Sequence, residues 1–183
     1  CLKIGYLFPR AHAVAYVMMA FRIAWFKVYQ PLAYYAAYFT IRAEGSFNAP
    51  VILKGLESQK AELARIAALE HSTAVEKGNA TVIEVAAEMY LRGMEFLPID
   101  LDRSDASEFK MVDGKLLPPF NCIPALGDAV AKEIVRARDE HLFTSKEDLK
   151  KRGKVSQSII DTMDSMGILK NMPDEEQISL FSF

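Results

Sequence analysis

Residues 12–28 contain neither glycine nor proline, and large apolar side chains crowd the whole stretch. A helix with one solvated side carries a polar stripe, which Arg22 and Lys27 alone do not make, so the pattern predicts a mostly buried helix. Both bases fall late in the segment, where the negative end of a helix dipole favours them. Gln30-Pro31 interrupts it, and Pro31 suits the first turn of a second helix carrying Tyr34, Tyr35, Tyr38 and Phe39 to about Arg42. Spacings of three and four put Tyr34 or Tyr35 on one face with Tyr38. The longest apolar run, Ala13 to Phe26, is broken by Arg22 and falls short of the roughly 20 residues of a membrane span. No transmembrane helix, signal peptide or membrane partner is expected.

Gly45 to Ala49 predicts a loop, and Glu57 to Glu70 an amphipathic helix burying Leu63, Ile66 and Ala67. Thr81-Val82-Ile83-Glu84 fits a capping box opening a helix that runs to Arg92 and stops at Gly93. Strand signals follow at 96–99, 108–112 and 115–117, and Asp113-Gly114 between the last two marks a hairpin whose turn needs positive φ. After Pro118-Pro119, short helices are expected near 128–140, 145–152 and 156–166, with Ser145 and Asp148 as a second capping box and Gly167 as a C-terminal cap. Residues 171–183 read as extended and flexible. The fold class is therefore mainly α with a small β-hairpin.

The 183 residues are 51% apolar with 9 glycines and 8 prolines, which excludes a disordered or collagen-like chain. Two cysteines make no disulfide framework, so a reducing, cytoplasmic setting is expected. The chain opens on Cys1 rather than Met, which reads as the downstream part of a longer polypeptide. The net charge of −2 conceals asymmetry. Residues 1–55 carry six bases and one acid, residues 56–117 seven bases and twelve acids, and residues 118–170 nine bases and eight acids. The last thirteen residues hold three acids and no base. Near-neutrality thus does not exclude nucleic acid; it makes contact local.

Ile123-Pro124-Ala125-Leu126-Gly127, followed by Ala129, Ala131 and Ile134, resembles a helix-hairpin-helix motif. Its small-residue turn lets backbone approach a phosphate while the next helix start points N–H groups at the anion. Ala125 stands where the motif has glycine, so the turn should avoid a glycine-only conformation, and Asp128 places an acid nearby. Any αα-hairpin could share the pattern. A second unit, Ser145 to Leu169, turns at Arg152-Gly153-Lys154-Val155. Lys150, Lys151, Arg152 and Lys154 are its candidate backbone contacts, against the plainer reading of a solvated helix end. The DNA-binding candidates are Leu126, Gly127, Ala129, Lys132 and Lys154.

Two further constellations carry chemistry. The terminal Gln177-Ile178-Ser179-Leu180-Phe181, after Asp174, Glu175 and Glu176, resembles a bacterial sliding-clamp-binding peptide. Leu180 and Phe181 would fill an apolar pocket and Gln177 its rim, or the segment would pack on its own domain. Near the other end, His12 and Tyr16 lie four apart on a helix, with Arg10 before them. Cation, imidazole and phenol together suit a phosphate-bearing ligand; a lone His there is otherwise structural.

Taken in order, Phe8-Pro9-Arg10-Ala11-His12-Ala13-Val14-Ala15-Tyr16, Arg22 to Val28, Pro31-Leu32 with Tyr34-Tyr35, Leu91 with Gly93, Ile99-Asp100-Leu101, Pro118 to Asn121, Ser145 to Leu149 and Ser179-Leu180-Phe181 resemble C-family bacterial replicative DNA polymerases, the PolC type of polymerase III alpha subunit above all. The resemblance covers essentially the whole chain. It implies the end of the fingers at 1–45, a helical connector with the β-hairpin at 46–117, a tandem helix-hairpin-helix duplex-binding domain at 118–170 and a flexible clamp-binding tail at 171–183. It also implies Arg10, His12 and Tyr16 facing an incoming dNTP, with primer-template duplex and the sliding clamp (the polymerase III beta subunit) as partners. Mg2+ would serve the full-length enzyme through palm carboxylates absent from this sequence, so the segment holds no catalytic or metal residue and is expected to be inert alone. The competing reading is a non-catalytic, clamp-tethered helix-hairpin-helix adaptor.

Overall fold

The computed structural model describes residues 9–43 and 45–175. Two helices open the chain, α1 (Arg10–Tyr29) and α2 (Pro31–Arg42), hinged at Gln30 where Pro31 starts the second. A short helix α3 (Ala49–Ile52) leads to α4 (Leu56–Ala67) and the long α5 (Ala74–Leu91). Then come β1 (Lys110–Val112), β2 (Lys115–Leu117), a 3-10 turn (Phe120–Cys122) and helices α6 (Asp128–Glu140), α7 (Lys146–Arg152) and α8 (Gln157–Ser165). The architecture is mainly helical with one two-stranded antiparallel hairpin, as the sequence pattern implies.

The expectation of a buried α1 is overturned. No residue of this helix is buried, and Tyr16, Phe21 and Tyr29 are each more than 60% exposed. Density of apolar side chains predicts that a helix wants cover on all sides; it does not supply the cover, and α1 packs mainly against α2, with Lys27 meeting the end of α5. At that end Lys27 Nζ meets Glu88 at 2.8 Å and sits 5.3 Å from the Tyr34 ring centroid, while Arg92 donates to the Lys27 carbonyl and to Tyr35 Oη. The helix also runs 20 residues and contains an 18-residue stretch with a mean hydropathy of 1.2, so by length and composition it does reach the span that the shorter Ala13–Phe26 run lacked.

The core begins on α2. Tyr35 and Phe39 face inward and Tyr34 and Tyr38 lie partly covered, stacked in pairs four residues apart. Phe39, Phe47, Phe96 and Phe109 form an aromatic knot with ring centroids 5.1–6.1 Å apart. From it one continuous core runs through Ile83 and Met89 on α5, Leu116 on β2 and Phe120, then Ile134, Leu149 and Met163 of the last helices. That core crosses the 45/46 and 117/118 positions without a gap.

Local differences from the sequence pattern have identifiable causes. The capping box sits eight residues earlier than Thr81: Thr73 accepts from the Glu76 N–H and the Glu76 carboxylate accepts from Thr73 N–H at 2.8 Å. Thr81 lies mid-helix and bonds back to the Lys77 carbonyl. Gly78 is also helical, because a Cβ there would stand 3.2 Å from Ser46 Oγ where the 45–47 loop crosses. On α4, Ile66 and Gln59 are buried and Ala67 is exposed. Residues 96–99 make a single bridge to Leu116 instead of a strand, since Pro98 has no N–H for a longer ladder. Asp113 and Gly114 do turn the hairpin at φ +51° and +75°. Residues 171–175 are docked: the N–H groups of Lys146 and Glu147 donate to the carbonyls of Pro173 and Asp174.

Candidate nucleic-acid interface

The last third of the chain contains the same backbone turn twice. In the first hairpin Pro124 leads to Ala125 at φ +64°, the buried Leu126, and Gly127 as the N-cap of α6. In the second, Gly153 leads to Lys154 at φ +53°, the buried Val155, and Ser156 as the N-cap of α8. The two N-caps share extended dihedrals, φ −80° ψ 162° and φ −72° ψ 157°. Ala125 thus takes the left-handed conformation that favours glycine, though not one that only glycine can adopt. Leu126 and Ile123 are both pulled into the core on either side of it, and reversing the chain between two anchored side chains demands one left-handed residue. Gly153 serves another purpose. At φ −78° it is unstrained, but a Cβ there would stand 2.7 Å from the Leu149 carbonyl.

No N-cap side chain accepts from a backbone N–H of α6 or α8: Gly127 has no side chain, and Ser156 Oγ shares its hydrogen bond with the Ser158 hydroxyl at 3.0 Å. The starts of α6 and α8 thus carry no side-chain cap on their backbone N–H groups, which leaves the positive ends of both helices suited to an anion. Asp128, the acid in this region, is drawn sideways by Asn121 Nδ2 at 3.0 Å.

Gly127, Ala129, Lys132 and Lys154 are exposed around these turns. Lys154 also reaches Glu133 at 2.8 Å, joining the second hairpin to α6. Hydrogen bonds from Arg136 and then Lys154 hold the Glu133 carboxyl down at about 2. Leu126 is different: its side chain is buried and its N–H donates to the Ile123 carbonyl, so it shapes the turn from within. Lys150 bonds Gln157 at the start of α8, and Lys151 is exposed. Arg152, read from sequence among the surface bases, is turned inward. It pairs with Asp148 at 2.9 Å, donates to the carbonyls of Ala137 and His141, and lies 5.0 Å from the Phe143 ring centroid. It fastens α7 to the end of α6, where helix-terminal carbonyls await donors. Its spacing to Asp148 was visible in the sequence; the carbonyls it caps were not.

At the other end, His12 and Tyr16 meet as read from their spacing, edge to face with centroids 4.5 Å apart. Arg10 opens the same helix two residues before His12, about 200° round at 100° per residue, so helix geometry alone does not bring it to their face. All three are exposed. Gln177, Leu180 and Phe181 lie outside the described residues. Among the described residues no three His, Cys, Asp or Glu side chains cluster as metal ligands. Cys122 is buried, and burial pushes its thiol up.

The helix-hairpin-helix motif family matches residues 93–178. The chain is 51% identical over 181 residues to the PolC-type DNA polymerase III of Thermotoga maritima, 51% identical over 183 residues to that of Listeria innocua and 48% identical over 182 residues to that of Clostridium perfringens. Each alignment takes in 99% of this chain but only 12–13% of the much longer relative.

Proposed function

We propose that this chain, about 51% identical over 99% of its length to PolC-type DNA polymerase III sequences, is the duplex-gripping, clamp-tethered part of a replicative DNA polymerase. The observation that carries this reading is the repeated hairpin, with its two helix starts at Gly127 and Ser156 that carry no side-chain cap. Two such turns, joined through Lys154 and Glu133, would hold phosphates of a duplex backbone without reading its bases. Gly127 and Ala129 would let the strand approach, and Lys132 and Lys154 would add point charges.

In the whole enzyme a primer 3′-hydroxyl attacks the alpha-phosphate of a dNTP and pyrophosphate leaves. Mg2+, held elsewhere, would stabilise the charge in that step. The residues of this chain would bind and orient. His12 and Tyr16 present a paired aromatic face for sugar or base, and Arg10 a cation at the start of the same helix. Gln177, Leu180 and Phe181 would tether the polymerase to the sliding clamp. The carboxylates of the reaction lie outside this segment, which by itself would be inert.

The test is a salt titration of duplex binding by the 183-residue chain. Affinity should fall steeply with salt, and replacing Lys132 and Lys154 with Ala should reduce the log–log slope by about 2, roughly 1 per lost phosphate contact. A slope that the double variant leaves unchanged would refute the backbone contacts.

A further inference from the structure

The second hairpin's basic cleft already holds a strand of acidic residues. Lys146, Lys150 and Lys151 of α7 line a cavity of about 580 Å3 together with Glu147 of the same helix and Gln157 and Ile160 of α8, and Asp174 and Glu175 line the same cavity. The segment is built in rather than lying loosely by. Lys146 and Glu147 N–H groups, donors that a helix start leaves unsatisfied, bond the carbonyls of Pro173 and Asp174 at 2.9 and 3.0 Å. Lys146 Nζ then bridges Asp174 at 3.0 Å and Asp164 of α8 at 3.2 Å, with its side chain 20% exposed. Hydrogen bonds to Asp174 and then Asp164 push the Lys146 ammonium up, consistent with a persistent pair. Asp174, by contrast, has its side chain 87% exposed, so it is held at one end and open to solvent at the other.

We propose that residues 173–175 are a displaceable acidic latch, which occupies the cleft of Lys146, Lys150 and Lys151 in place of a DNA strand and must yield when the second hairpin grips the backbone. The inference rests on the duplex-binding reading of that hairpin. A phosphate brought to Lys150 and Lys151 enters the cavity that Asp174 and Glu175 also line, and like charges within one cavity oppose binding. The latch therefore weakens duplex binding, and keeps the basic cleft from holding other polyanions.

Fluorescence anisotropy with a labelled 20-base-pair duplex tests this in the 183-residue chain. Asp174→Asn with Glu175→Gln should tighten binding by roughly three- to tenfold at 50 mM salt, converging on the wild-type value near 0.5 M as screening removes the repulsion. Equal affinities of variant and wild type at low salt overturn the latch while leaving duplex binding intact. If neither binds duplex at all, the DNA reading falls and the latch with it. Amide hydrogen exchange gives a second readout: Lys146 and Glu147 N–H groups should be protected in the wild type and lose at least tenfold protection in the double variant. Slow exchange at both amides in the variant would show that the carboxylates do not hold the segment, and would overturn the proposal.

Discussion

Replacing Ala125 with Gly should stabilise the protein, although glycine ordinarily costs stability. At φ +64° a residue with a Cβ carries about 1–2 kcal/mol of steric penalty in the left-handed region. Glycine removes that penalty but adds roughly 0.4–1 kcal/mol of freedom to the unfolded chain. Ala125 is exposed, so deleting its methyl forfeits little buried surface. The balance is a gain of about 0.5–1 kcal/mol, read as a rise of roughly 1–4 °C in Tm for a chain of this size. Urea denaturation measures it directly, as a higher midpoint at unchanged slope. Gly153→Ala is the matched opposite. Its φ is ordinary, and the added Cβ collides with the Leu149 carbonyl at 2.7 Å and with side-chain carbons of Leu149 and Val155 at 3.2 Å. Crowding of that kind costs about 1–3 kcal/mol. If Ala125→Gly leaves the midpoint unmoved or lowers it, the first hairpin is not strained and the argument from its dihedral fails.

Two further outcomes follow from particular residues. Thr73→Ala should lower stability by about 1 kcal/mol in thermal melts through loss of the α5 cap, while Thr81→Ala, mid-helix and exposed, should be neutral or slightly stabilising; the reverse order would contradict the observed helix start. Leu180→Ala with Phe181→Ala should abolish binding of the sliding clamp by calorimetry at an unchanged melting temperature, and surviving affinity would remove the tail as the anchor.

Much of the fold was legible because it depends on neighbours in the chain. The break at Pro31, the Asp113-Gly114 turn, and the stop at Gly167 (which closes α8 with paired bonds from Gly167 to Asp164 and Ile168 to Met163) are all short-range chemistry. The hairpin motif was legible too, as small residues before a helix. Its most telling feature was not: at Ala125 a positive φ sits between the buried side chains of Ile123 and Leu126, and no local signal marks it. Arg152 was misjudged for a similar reason, since a guanidinium beside a surface helix and one capping the carbonyls of Ala137 and His141 read alike in one dimension.

By itself, then, the order of residues determined the main helix breaks and turns, though not the α5 start at Thr73, and that a mainly helical chain would carry two hairpins. Those are outcomes of hydrogen bonds and sterics within a few residues. Only the tertiary structure decided which apolar surfaces find cover. It left α1 bare despite its composition, ran one core from Tyr35 to Leu169, and folded an acidic tail against a basic cleft. Burial and charge pairing depend on what lies across space, and the contact from Lys146 to Asp174 joins residues that no local pattern connects.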